Sequence, residues 1–197
     1  MDKSPVLCVH GIDDKSASFE PMIKALRARE FKYILAMDLK PPDGSITIEE
    51  MAGQVKQAAE KLLVDSRADR IDIIAFSMGS LASRYFIQRL GGSLCVRRFI
   101  AISGPHHGTL TAYLRQTSGV RQMRPGSVLL KELAGDLQSW GKVQVFSFWT
   151  WMDLMICPAW SSRIEGAVQR VFSVPLHPWM FTDRKVIEVV VQTLLAP

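Results

Sequence analysis

Short apolar runs alternate along the chain with stretches whose apolar residues recur every three or four positions, the two periods expected of buried strands and amphipathic helices. The runs at 5–9, 33–37, 71–75, 96–102, 143–149 and 168–174 are the predicted strands. Between the first two, Phe19, Met22, Ile23 and Leu26 share a helical face, with Ser18 placed as its N-cap. Thr47-Ile-Glu-Glu50 has the spacing of a capping box, and Ile46 and Met51 are placed for a hydrophobic staple. The helix that follows carries Met51, Val55, Ala58, Ala59, Leu62 and Leu63 on one side. A further helix over 81–90 ends at Gly91-Gly92, and an apolar helix over 185–195 closes the chain. The stretch 104–142 is less regular; it contains a short capped helix over 124–133, while 109–123 reads as a flap or as a surface connection.

Strands alternating with helices predict an α/β fold: one domain with a mostly parallel sheet of about six strands, covered by helices on both faces. In such sheets functional groups collect at the carboxyl ends of the strands. That rule selects His10-Gly11-Ile12, Ser77, the 103–108 turn and the segments after the last two strands.

Ala75-Phe-Ser-Met-Gly79 joins a predicted strand directly to a predicted helix. A chain that reverses so sharply about one residue strains it, and tolerates the strain only where the residues two before and two after lack bulk. Such a turn lifts the Ser77 hydroxyl to the top of the sheet, at a helix N-terminus whose free N–H groups favour negative charge. This is the nucleophile elbow of the α/β-hydrolases, with alanine in the first glycine place; otherwise Ser77 is an ordinary N-cap.

A serine hydroxyl needs a base to take its proton and an acid to orient that base. The order nucleophile, acid, histidine excludes His10 as base and selects His177, in a loop between Pro175 and Pro178 before the last helix. Asp153, just after the fifth strand, is the preferred acid, with Asp136 and Asp38 as alternatives. The amides of Met78 and Ile12 are the expected oxyanion donors. His106-His107 is read as structural, with side chains hydrogen-bonded near the strand end and no third ligand at metal spacing. All five tryptophans lie in the last third of the chain; Trp149, Trp151 and Trp179 flank the acid and base loops and are candidate substrate contacts, or else pack inward.

Together with Val6-Leu-Cys-Val-His-Gly11, Ser103-Gly-Pro-His-His-Gly-Thr109, Met123-Arg-Pro-Gly-Ser127 and Asp153-Leu-Met-Ile-Cys-Pro158, the elbow and His177 resemble the small bacterial triacylglycerol lipases and related esterases. The resemblance implies a serine carboxylic-ester hydrolase acting on lipid esters through an acyl-enzyme, with Ser77, Asp153 and His177 as triad, Ile12 and Met78 as oxyanion donors, and no cofactor or metal. A short-chain esterase, a thioesterase, an acyltransferase and a catalytically silent binding module are the alternatives.

Composition narrows the partners. The net charge of +5 comes from basic residues scattered along the chain, so no nucleic-acid stripe is expected, while contact with a lipid surface remains open. No apolar run approaches the roughly 18 residues of a membrane span. Three dispersed cysteines predict buried thiols and no disulfide framework. A first strand beginning at Pro5 leaves no room for a signal peptide, and the expected compartment is the cytoplasm, with the mature form of a secreted protein as the alternative.

Overall fold

The computed structural model describes residues 3–196. Six strands form one sheet: β1 (Val6–Val9), β2 (Ile34–Met37), β3 (Ile71–Phe76), β4 (Val96–Ile102), β5 (Gln144–Thr150) and β6 (Val168–Phe172). Their spatial order is β2-β1-β3-β4-β5-β6, and every neighbouring pair is parallel. Side chains alternate between two cores. Leu7, Val9, Ile73 and Ala75 face α2 (Ile48–Ser66) and α3 (Met78–Arg89), while Val6, Cys8, Ile74 and Phe76 face α1 (Glu20–Arg27) and α6 (Arg184–Leu195). A sheet buried on both sides explains why its central strands read as continuous apolar runs rather than alternating ones.

The capping box at Thr47 is formed in full, and Ile46 packs on the core that contains Met51. The expected cap at Ser18 is not formed. A 3₁₀ turn (Ser16–Phe19) precedes α1, whose N-cap is Phe19 without a side-chain bond, and the Ser18 hydroxyl donates to Asp14 instead.

Between β4 and β5 the chain builds the short helices α4 (Ser118–Gln122) and α5 (Val128–Ala134). This stretch is fastened to the body. Gly119 N–H donates to Gly44 O (2.9 Å), Gln122 bridges Glu49 and the Ile48 amide, and Arg84 reaches Leu133 O (2.7 Å). Ala112, Val120, Met123, Leu129, Leu130 and Leu133 are buried in the core that also holds α3. Residues 109–123 are thus tied to the start of α2 and to the core it shares with α3.

Strand order reverses between β1 and β3, the position at which open parallel sheets form clefts. The loops leaving those two strands carry Ile12 and Ser77.

Candidate active site

Ser77 sits between β3 and α3 with φ 51° and ψ −124°, in the positive-φ region that a side chain seldom occupies. The strain is imposed from both sides. Ser77 N–H still extends the strand ladder to Ile102 O (2.9 Å), while Ser80 N–H already bonds Ser77 O (3.0 Å) as the helix begins. The small flanking residues act as the sequence requires. A Cβ on Gly79 would lie 2.2 Å from His10 O, and one on Gly11 would lie 2.9 Å from the Ser77 Cβ. The β1 loop therefore passes directly against the elbow.

That loop is locked by His10, a fully buried residue whose part was not evident from the sequence. Its Nδ1 donates to Gly11 O (2.7 Å) and its Nε2 accepts from Leu39 N–H (2.9 Å), which fixes the neutral Nδ1–H tautomer. Among the described residues, the amides of Ile12 and Met78 have no intramolecular acceptor. The only signal in the sequence was a histidine-glycine pair at the end of the first strand.

Acid and base meet directly. His177 Nδ1 lies 2.7 Å from Asp153 Oδ2, and both side chains are buried. The other carboxylate oxygen, Asp153 Oδ1, accepts the N–H groups of Met155 and Ile156, each at 2.9 Å. Since Asp153 accepts every one of these bonds, His177 Nδ1 carries the proton and Nε2 is left as the basic atom. The imidazole packs on Phe76, the residue before Ser77, with ring centroids 4.7 Å apart; Phe181 backs Phe76 at 4.4 Å. No hydrogen bond among the described residues joins Ser77 Oγ to His177. Such bonds are often long before substrate arrives.

The alternative acids are engaged elsewhere. Asp136 pairs with Arg89 (2.8 Å) and accepts from Ser139 N–H. Asp38 takes the Ser16 amide at 2.6 Å, a bond that chiefly holds its carboxyl below the ordinary range.

His106 departs from expectation. Neither of its ring nitrogens has a partner among the described residues, although it is buried. From Ser103 (φ 48°) the chain turns so tightly that the ring folds back over Gly104, where an added Cβ would lie 2.6 Å from Nε2 and equally close to the Ser80 Cβ. Burial, with Arg84 and His107 nearby, holds the imidazole well below its ordinary pKa. His107 is exposed, beside the Trp160 ring.

The tryptophans divide. Trp149 is buried beneath the Arg163 guanidinium, closed off from solvent. Trp151 and Trp179 are 62% and 51% exposed, and stand with Leu154, Met155 and Leu176 along the acid and base loops. Among the described residues no helix is long and apolar enough to cross a membrane.

A serine on a strained strand-to-helix turn at the switch point of a parallel sheet, with a buried Asp–His pair packed on the residue before it, defines an α/β-hydrolase. The chain belongs to the palmitoyl protein thioesterase family, whose sequence pattern matches residues 5–151. That match takes in Ile12, Ser77 and Met78 and stops just short of Asp153. The fold is similar to mature lipase BlEst2 of Bacillus licheniformis, at 14% identity and TM-score 0.81 over 98% of this chain and 92% of that one. It is also similar to Aspergillus fumigatus lipase B (16% identity, TM-score 0.80, 98% of this chain and 53% of that one). The monoacylglycerol lipase of Paleococcus ferrophilus superposes with TM-score 0.69 at 15% identity, over 98% and 96% of the two chains. None of the curated proteins matches the sequence.

Proposed function

We propose that the protein is a serine hydrolase that cleaves carboxylic esters of long acyl chains, lipid esters above all, through an acyl-enzyme. The observation that carries this reading is the buried Asp153–His177 pair, whose imidazole packs on Phe76, the residue before the strained Ser77. Ser77 Oγ attacks the carbonyl carbon as His177 Nε2 takes its proton, and the resulting imidazolium is stabilised by Asp153 through Nδ1–H. The carbonyl oxygen, now negative, accepts the open N–H groups of Ile12 and Met78. Each such donor contributes about 3–4 kcal/mol of transition-state stabilisation in comparable sites. Collapse expels the alcohol, which leaves with the proton from His177. Water then attacks the acyl-enzyme by the same route and releases the acid.

The acyl preference rests on the exposed apolar residues of the acid and base loops, of which Trp151, Leu154 and Trp179 are the largest or most open. An exposed apolar rim of this kind suits a chain drawn from a lipid surface. A second reading, an acyl thioesterase, is favoured by the family to which residues 5–151 belong. The chemistry is the same, with a thiol leaving in place of the alcohol.

The test is a matched series of nitrophenyl butyrate, nitrophenyl palmitate, an emulsified glyceride and a palmitoyl thioester. Long-chain oxyesters should be turned over fastest, and Ser77→Ala should abolish all turnover and all labelling by a fluorophosphonate. A preference for the thioester would establish the second reading. Undiminished turnover by Ser77→Ala would refute the serine mechanism.

A further inference from the structure

Beyond the triad, the acid and base loops share a buried anchor. Thr150 is the last residue of β5, is fully buried, and lies in register with Phe172, the last residue of β6. One step further the backbone ladder ends and the Thr150 hydroxyl replaces it. It donates to Val174 O (2.8 Å) and accepts the N–H groups of Val174 and Met152 (3.2 Å each). One donor and two acceptor sites are all that a hydroxyl has, so its capacity is full. Met152 adjoins Asp153, and Val174 lies three residues before His177. Asp153 N–H also reaches back to Thr150 O at 3.4 Å. The nearest parallel link, from Trp151 Nε1 to Ser173 Oγ at 3.3 Å, is exposed.

We infer that Thr150 is a positioning residue for the hydrolysis proposed above: its hydroxyl sets the separation of the loops bearing Asp153 and His177, and hence the orientation of the imidazole toward Ser77. The inference rests on the serine-hydrolase reading. A buried hydroxyl that satisfies the N–H and the C=O of one residue in the base loop, and the N–H beside the acid, fixes both loops without touching either catalytic side chain. Small displacements at such a site are costly, because proton transfer tolerates only a fraction of an ångström.

Thr150→Val keeps the shape of the side chain and removes the hydroxyl, whereas Thr150→Ser keeps the hydroxyl and removes the methyl. On the best ester of the series, Thr150→Val should lose on the order of 10- to 100-fold in kcat with KM changed less than about threefold. Thr150→Ser should stay within about threefold of the parent enzyme in both constants. Should Thr150→Val fail to fold, Thr150→Cys, whose thiol is a poor hydrogen-bonding group, should show the same selective loss of kcat. Equal losses in the valine and serine variants, or an unchanged kcat in valine or cysteine, would overturn the assignment while leaving the hydrolase reading intact. A parent enzyme silent on every ester and thioester would overturn both.

Discussion

Around Ser77 the chain is positioned by what its residues lack, whereas around Asp153 and His177 it is positioned by what they carry. At the elbow the decisive positions are Gly79 and Gly11, where a single Cβ would strike His10 O or Ser77 itself. Backbone packing there leaves no alternative to the strained serine. Among the described residues, the loops after β5 and β6 hold no glycine whose Cβ would strike a neighbour in this way. Their geometry comes from side-chain hydrogen bonds: Thr150 to Val174, Asp153 to His177, and Thr109 Oγ1, which donates to Met155 O (2.8 Å) and accepts from Cys157 N–H (2.9 Å). The lesson is that a nucleophile held by shape fails as a fold when altered, while an acid–base pair held by hydrogen bonds fails as chemistry.

The comparison is broken most directly at Asp153. Replacing it with Asn keeps the volume and lets the Met155 and Ile156 amides bond the side-chain carbonyl. It removes the charge that stabilises the imidazolium and stabilises the wrong tautomer of the imidazole. Turnover should fall on the order of 10³- to 10⁴-fold in kcat. The urea midpoint should move little, since the loop keeps its hydrogen bonds. A variant that loses its fold along with its activity would show that the acid side is also held by packing.

Gly79→Ala is the converse. Its Cβ meets backbone oxygen at 2.2 and 2.9 Å, from His10 and Val9, so no side chain can swing away to relieve it. Overpacking of this severity should cost about 3 kcal/mol or more of stability, at the upper end of such substitutions. Urea unfolding should give the loss directly, and whatever folded fraction remains should bind fluorophosphonate slowly. Normal stability in this variant would mean that the elbow has freedom the structure does not suggest.

This contrast also explains what could be read from the sequence. The elbow, the strand order of chemistry and the helices were legible because each rests on a local pattern: Ala75 and Gly79 about a serine, Thr47 with Glu50, apolar runs ended by turns. Six parallel strands follow from those runs, because a strand buried on both faces has little choice but to be apolar throughout. What escaped was relational. Nothing near Thr150 in the chain marks it as a bridge to Val174, and nothing near His10 announces Leu39 as its partner, since these bonds cross between loops of distant sequence. Ser18 looked like a cap because its residue type is right, but Asp14 competes for its hydroxyl. Trp149 and Trp151 are near neighbours of the same type, but β5 ends at Thr150, so Trp149 is buried within the sheet and Trp151 stands exposed in the turn beyond it.

His106 sharpens the comparison by belonging to neither side, its ring being held by burial with no hydrogen-bond partner among the described residues. Buried near the Arg84 guanidinium, whose own pKa is pushed down to about 10 and which therefore stays charged at neutral pH, the imidazole resists protonation in the folded protein. The unfolded chain has no such resistance and takes up a proton near the ordinary value of about 6.5. Below that pH the unfolded state binds more protons than the folded one, so stability is complete above about 6.5 and declines as pH falls, until the depressed folded pKa is reached. The limiting slope for one group is about 1.4 kcal/mol per pH unit, so urea unfolding at pH 7.5 and 5.5 should differ by about 1 kcal/mol through His106. His107, lowered chiefly by its partial burial, adds a weaker dependence of the same sign. In His106→Leu the ring nitrogens that lack partners disappear together with their titration. Its stability at pH 7.5 should match or exceed the parent's, and its acid decline should be shallower by the same 1 kcal/mol or so. Parallel pH curves for the two proteins would mean that His106 is protonated as readily inside the fold as outside it, and that the loop after β4 opens to solvent at a cost too small to detect.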